Sequence, residues 1–165
     1  MFSKQVENKL YLELGPTNLL VEVIDDEKEK IFQLVIKSLP IIIQQISSEV
    51  ENLKKSSENK FMFKSNIAQK MYESSKIFLP YFITPMSCVA GAVSEQLLET
   101  VLLKFNPKKI YINNGGDIAI YLRDRQSSKL FIADSDEIII TLESDRTTYG
   151  IATSGWKGRS FSLGI

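Results

Sequence analysis

Apolar and polar residues alternate in two short stretches near the start of the chain. Residues 10–14 alternate weakly, and residues 19–24 are rich in side chains that favour β-strands. Between them, Gly15-Pro16-Thr17-Asn18 has the composition of a turn. This pattern predicts a β-hairpin.

A helical periodicity follows, because apolar residues are spaced three and four positions apart. They are Ile31, Leu34, Val35, Leu39, Ile42, Ile46, Val50 and Leu53. Pro40 interrupts the pattern, and a proline inside a helix costs about 3 kcal/mol. We therefore expect either two helices, with Ser38 capping the second, or one helix with a sharp kink.

Two more helices are predicted in the middle of the chain, after a polar loop at residues 54–60. The first covers residues 66–77 and has Ser65 as its N-cap. The second covers residues 84–105, with Thr84 as N-cap and Pro85 in the first helical position.

This last helix has one face of small residues and an opposite apolar stripe. The small residues are Ser87, Ala90, Gly91 and Ser94, and the apolar ones are Val89, Val93, Leu97 and Val101. A glycine within a helix costs roughly 1 kcal/mol relative to alanine. Either close packing or close approach of a ligand would explain Gly91.

The stretch Asn113-Asn114-Gly115-Gly116-Asp117 joins an apolar run at residues 109–112 to an alternating run at residues 118–122. Paired glycines allow positive φ angles and close approach to the backbone. One interpretation is a hairpin turn with solvated polar residues. The other is the floor of a pocket, where backbone N–H groups and Asp117 contact a polar ligand.

Residues 129–132 and 137–142 read as two further strands. Helices and strands together predict one α+β domain over residues 1–165, with helices packed on one face of a mainly antiparallel sheet. The length of 165 residues suits a single hydrophobic core.

Charge and composition limit the classes of partner and the cellular location that we expect. Twenty basic residues balance twenty acidic ones, so neither nucleic acid nor a membrane is an expected partner. The N-terminus lacks a signal-peptide pattern, and the apolar runs are shorter than the roughly 20 residues that span a bilayer. A cytoplasmic protein is therefore predicted.

Two residue counts limit the chemistry. The single cysteine, Cys88, excludes a disulfide within the chain. The absence of histidine excludes Ser-His and Cys-His catalysis and all histidine-containing metal sites. Catalysis would have to use carboxylates, Lys, Arg, hydroxyls or a metal bound by oxygen.

The C-terminal stretch, residues 149–165, combines glycines, hydroxyls and two cations, Lys157 and Arg159. These groups are donors suited to phosphate oxygens. Ser154-x-x-Lys157 matches a nucleophile pattern of penicillin-binding enzymes, but the neighbouring glycines oppose the helix which that chemistry needs. The spacing does not match a Walker A loop.

Four motifs occur in an order that resembles a bacterial and archaeal family similar to the ApbE-like superfamily, the FAD:protein FMN transferases once called thiamine-biosynthesis lipoproteins. The first is Pro85-Met86-Ser87-Cys88-Val89-Ala90-Gly91-Ala92-Val93-Ser94-Glu95, and the second is Asn113-Asn114-Gly115-Gly116-Asp117-Ile118. The third is Gly150-Ile151-Ala152-Thr153-Ser154-Gly155, and the fourth is Gly158-Arg159-Ser160-Phe161-Ser162-Leu163-Gly164-Ile165.

The resemblance implies a small-molecule nucleotide ligand, FAD or FMN, and in the transferases Mg²⁺ assists attack on the FAD pyrophosphate. It implies that the flavin nucleotide lies against one wall formed by Asn113, Asn114, Gly115, Gly116 and Asp117. The opposite wall would be Thr153, Ser154 and Gly155, with Gly91 near the same pocket. Arg159 would neutralise phosphate, and Ser160 completes the candidate set.

The chain departs from the transferase pattern in three places. The lysine of one transferase element is absent from Ala90-Gly91-Ala92-Val93-Ser94-Glu95, and the histidine element after Thr-Ser-Gly is replaced. The transferase metal ligands would lie beyond Ile165, so no metal ligand is assigned here. A C-terminally incomplete domain would also expose a sheet edge and favour homo-oligomers.

Three functions remain open at this point. The chain is a flavin- or nucleotide-binding protein that acts on a flavin diphosphate, with Asp117 as the candidate catalytic residue. Alternatively, it is a non-catalytic ligand-binding module of the same fold. In the third case it is a structural module, in which residues 113–117 are only a turn.

Overall fold

The computed structural model describes residues 1–131, 139–143 and 148–152. The strands in these ranges are β1 (Phe2–Val6), β2 (Lys9–Leu14), β3 (Thr17–Ile24), β4 (Lys109–Asn114), β5 (Asp117–Leu122), β6 (Ser127–Phe131), β7 (Ile139–Glu143) and β8 (Thr148–Ile151). Six of them form one antiparallel sheet in the order β1-β2-β3-β4-β5-β8. The other two, β6 and β7, form a separate antiparallel pair.

Four α-helices complete the described fold, and they confirm the predicted α+β class. They are α1 (Lys28–Ser48), α2 (Val50–Leu53), α3 (Asn66–Lys76) and α4 (Val89–Leu102). Helix α1 contacts β2 and β3, and α4 contacts β4, β5 and β8. A fold by itself does not determine a function, which depends on the side chains of a site.

Local sequence determines several helix boundaries. The predicted cap of α3 is confirmed, because the Ser65 hydroxyl accepts a hydrogen bond from the Ala68 N–H at 3.3 Å. The helix predicted to start at Thr84 begins instead as a 3₁₀ turn, Pro85–Cys88, and becomes α-helical at Val89. Thr84 is the N-cap residue of that turn, as predicted, and Pro85 follows it in the first turn, but the Thr84 side chain makes no capping hydrogen bond.

The core lies between the sheet and the helices. Alternate residues of β2, β3 and β4 are buried, as period-two strands with one covered face require. Residues from one side of α1 meet them, namely Ile31, Phe32, Val35, Leu39, Ile42 and Ile46. The predicted hairpin is confirmed as β2–β3, whereas β1 was not predicted.

Pro40 does not divide the helix, and Ser38 does not cap a second one, because α1 is continuous from Lys28 to Ser48. The Pro40 ring is exposed, so its distortion of the backbone falls on the solvent side. Buried residues on both sides of Pro40 hold the two halves against the same core. Each fully buried aliphatic side chain contributes about 1.5–3 kcal/mol, so their sum exceeds the proline cost.

Helix α1 is long and apolar enough to cross a membrane by length and composition. In the folded chain six of its apolar residues are buried against the sheet and neighbouring helices. A core helix of this kind passes the same compositional test as a membrane span.

A carboxylate ties the end of α1 to the start of α3. Glu49 accepts hydrogen bonds from the Lys64 N–H at 2.7 Å, the Ser65 N–H at 2.9 Å and the Ser65 hydroxyl at 2.7 Å. Burial by itself would raise the pKa of Glu49, but these hydrogen bonds outweigh it and the pKa is lower than usual. The contact therefore stabilises the fold only while Glu49 is ionised.

Replacing Pro40 by alanine is expected to stabilise the protein by up to about 3 kcal/mol, because it restores a helical N–H without removing a buried side chain. Urea unfolding measures the change. Ser47→Ala, an exposed substitution in the same helix, serves as control and should change stability by no more than about 0.5 kcal/mol. A less stable Pro40→Ala protein would show that the fold needs the proline geometry.

Glu49→Gln should destabilise the protein by about 1 kcal/mol at neutral pH, since it weakens charge-assisted hydrogen bonds. A carboxylate with a lowered folded pKa stabilises above its unfolded pKa, near 4.5, and that stability is lost as the pH falls through the folded value. The difference between variant and wild type should therefore shrink below about pH 4.5. Glu51→Gln, an exposed neighbour, is the control, and an equal effect of both substitutions would contradict the assignment.

Candidate functional site

The stretch Gly115-Gly116 is a two-residue hairpin loop between β4 and β5. Asn114 and Asp117 are directly paired across the strands, which leaves only the two glycines as the turn. Their φ angles are 63° and 108°, a region that side chains disfavour. The predicted hairpin is thus confirmed, and both glycines are required by its geometry.

The Asn113 side chain is used within the hairpin itself. Its carbonyl oxygen accepts a hydrogen bond from the Gly116 N–H at 2.8 Å, and its amide donates to the Tyr111 hydroxyl at 3.0 Å. Burial raises the pKa of the Tyr111 hydroxyl above its ordinary value. Asn113 therefore acts first as a brace for the turn.

Two hydrogen bonds connect the hairpin tip to α4. The Asn114 amide donates to the Ala90 carbonyl at 3.2 Å, and the Ser94 hydroxyl donates to the Asp117 carbonyl at 2.9 Å. Asn114 and Ser94 are both buried, so each needs such a partner. We call these two bonds, with the residues that make them, the tip–helix clamp.

Gly91 lies beside the clamp and faces Asp117. A Cβ atom placed on Gly91 would lie 3.9 Å from both the Cβ and the Oδ2 of Asp117. That distance is an ordinary van der Waals contact. The small face predicted on this helix therefore meets the hairpin at Ala90, Gly91 and Ser94. Ser87 does not join it, because its hydroxyl is exposed and donates to the Thr84 carbonyl.

The candidate residues Thr153, Ser154, Gly155, Arg159 and Ser160 lie outside the described residues. Strand β8, which precedes them, pairs with β5 so that Ile151 is opposite Ile118. The C-terminal end of β8 thus lies at the same edge of the sheet as Asp117.

Sequence reasoning did not assign Tyr111 or Ser94 to the site. Ser94 shares a helical face with Gly91, and Tyr111 shares a strand face with Asn113. Those two periodicities were the available signals. Neither periodicity shows that α4 is hydrogen-bonded to the hairpin, because those bonds join residues more than twenty positions apart.

The described residues give no grouping of three or more His, Cys, Asp or Glu side chains that could hold a metal ion. A groove of about 420 Å³ lies elsewhere, among α1, α3 and α4, and includes Gln45, Lys64 and Gln96 in its lining. It shares no lining residue with the hairpin. The start of α3 at its edge is already occupied by Glu49 and Ser65.

Two similarities relate this chain to known proteins. A UPF0280 protein of Methanobrevibacter smithii is 35% identical over 104 residues, which cover 61% of this chain and 42% of that relative. The match therefore spans less than half the length of the relative. The model of the family described as "AbpE bacteria" matches residues 1–165, and the chain belongs to that family.

Proposed function

We propose that this protein binds a flavin nucleotide, or another nucleotide, at the hairpin tip beside α4. The supporting observation is Gly91. Gly91 faces the partly exposed Asp117, which directly follows the turn that contains the exposed Gly115. The motif resemblance to ApbE-like proteins supports a flavin such as FAD or FMN as the ligand.

Gly91 is costly for a helix and is not required by the described packing. Alanine would be more favourable by up to about 1 kcal/mol. Since the described neighbours leave room for a Cβ atom at 3.9 Å, close packing against them does not account for glycine. Close approach of a ligand is the other explanation which the sequence left open, and we adopt it for the proposal.

Asp117 is the side chain to which we assign ligand orientation. The Asp117 backbone carbonyl accepts a hydrogen bond from the Ser94 hydroxyl. The backbone that carries the Asp117 carboxylate is therefore fixed where the hairpin meets α4. A carboxylate repels phosphate and accepts hydrogen bonds. We therefore assign it to a ligand hydroxyl or ring N–H, or to a cation that accompanies the ligand.

Transfer of a group from a bound flavin diphosphate would need more than the residues that bind the nucleotide. Phosphoryl-type transfer from a diphosphate depends on neutralising charge on phosphate oxygens, and Mg²⁺ supplies that charge in many enzymes. In this chain Arg159 is the candidate cation, and Asp117 is the candidate catalytic carboxylate. The function proposed is binding, and measuring turnover of FAD tests whether the protein also acts on the flavin diphosphate.

The structural alternative has one observation in its favour. Asn113 and Asn114 use their side-chain amides to hold the turn and the helix, as a purely structural hairpin would. Under that alternative, Asp117 and Gly91 would affect stability but bind nothing.

Asp117→Asn is expected to weaken nucleotide binding by about tenfold or more, because it removes a charge-assisted hydrogen bond worth about 1.5–3 kcal/mol. The measurement is calorimetric titration with FAD, FMN and ADP, each with and without Mg²⁺. Asp26→Asn, an exposed substitution outside the hairpin, is the control for loss of one negative charge. Thermal unfolding of both variants is measured alongside, so that a loss of affinity can be compared with any loss of stability.

Two results decide against the proposal. If wild type binds none of the three nucleotides, nucleotide binding is excluded. If Asp117→Asn lowers stability and leaves affinity unchanged, the structural alternative holds. Binding without turnover of FAD would identify a non-catalytic module.

Gly91→Ala distinguishes the two explanations for Gly91, close packing and close approach of a ligand, because they predict opposite changes in stability and in nucleotide binding. We expect the variant to be more stable than wild type, by up to about 1 kcal/mol, and to bind nucleotide more weakly. Thermal unfolding and the same titration measure both quantities. Ser74→Ala in α3 is a matched gain in helix propensity away from the hairpin and should leave binding unaltered. Lower stability with unchanged binding would instead assign Gly91 to packing.

A further inference from the structure

A second surface of the protein exposes an unusual run of large apolar side chains. Residues 77–82, between α3 and the 3₁₀ turn, read Ile-Phe-Leu-Pro-Tyr-Phe. Ile77 is 80% exposed, Tyr81 is 78% exposed and Phe82 is 81% exposed. Phe78 and Leu79 are exposed to a smaller degree. We call residues 77–82 the apolar segment.

The apolar segment has a defined backbone. The N–H groups of Phe78, Leu79 and Tyr81 donate to carbonyls three residues earlier, at 3.2, 3.2 and 3.0 Å. At its far end, the Ile83 carbonyl accepts a hydrogen bond from the Ser57 N–H at 2.9 Å. Successive turns therefore present these side chains to solvent in a fixed arrangement.

The size of this surface suits the centre of a protein interface. A buried aromatic side chain contributes about 150–250 Å², and the apolar segment contains three. With Ile77 and Leu79, the patch reaches on the order of 500 Å², the upper end of what a monomer leaves exposed. A stable interface buries about 800 Å² on each partner, with an apolar, aromatic-rich centre and a polar rim.

Charges of both signs surround the apolar segment. Lys76 pairs with Glu73 at 3.4 Å at the end of α3, and the neighbouring loop carries Lys55, Glu58 and Lys60. An anionic membrane surface selects an excess of basic residues around an aromatic patch. A mixed rim on a chain of zero net charge instead suits a surface with the same composition.

We propose that a second copy of this chain docks on the apolar segment in a two-fold symmetric dimer. In such an interface each copy offers the same patch, so aromatic side chains meet aromatic side chains. The lysines at the rim of one copy then meet glutamates at the rim of the other. This surface differs from the sheet edge on which the sequence-based expectation of an oligomer rested, and it is independent of nucleotide binding.

Phe82→Glu tests the dimer, because a charge placed in the apolar centre cannot be buried without a partner. Light scattering coupled to size exclusion, over a range of protein concentrations, should give twice 18.7 kDa for wild type and 18.7 kDa for the variant. Leu103→Glu is the matched control, since Leu103 is 85% exposed on another element, and it should stay dimeric.

Ile77→Glu provides a second disruption at the other end of the segment and should also give a monomer. Circular dichroism checks that both variants fold, as expected for residues so exposed. A wild-type protein that is monomeric at every concentration would overturn the proposal, and so would a folded Phe82→Glu protein that remains dimeric. Sedimentation of monomeric wild type with phosphatidylserine vesicles would assign the segment to a membrane surface instead.

Discussion

The tip–helix clamp is the interaction on which the candidate site depends. Asn114 and Ser94 are buried polar residues, and leaving either without a partner would cost about 1–3 kcal/mol. Their bonds to Ala90 and Asp117 hold the loop between β4 and β5 at the start of α4. Together with the packing of α4 on β4 and β5, these bonds fix Gly91 and Asp117 relative to each other.

Elements with one buried face could be predicted from the sequence, because burial imposes a period on the residues. The hairpin β2–β3, helix α3 and strand β4 all follow such a period. Strand β1 could not be predicted, since all five of its residues are exposed and it is positioned mainly by backbone pairing with β2. For α1 the sequence left two helices or one kinked helix open, because local helix rules at Pro40 do not include the core that both halves of the single helix bury.

The site shows the same division between local and long-range information. The Gly115-Gly116 turn needs positive φ angles, and the two adjacent glycines are enough to predict it from the sequence. The roles of Asn113 and Asn114 are not, because an amide side chain suits solvent, a turn or a ligand equally well. Asn113 braces its own loop, whereas Asn114 reaches a helix residue twenty-four positions earlier.

Three features depart from the local rules of stable folding, and they differ in whether a described interaction offsets their energetic cost. Pro40 interrupts a helix, but core burial on both sides offsets its cost. Gly91 weakens a helix without a packing reason among the described residues, and the apolar segment exposes aromatic side chains with no described cover. Natural proteins depart from local consistency mainly where function demands it. Because the apolar segment leads through the 3₁₀ turn into α4, both uncompensated features lie on one continuous stretch, and that stretch is where a ligand and a second copy would each supply the missing contacts.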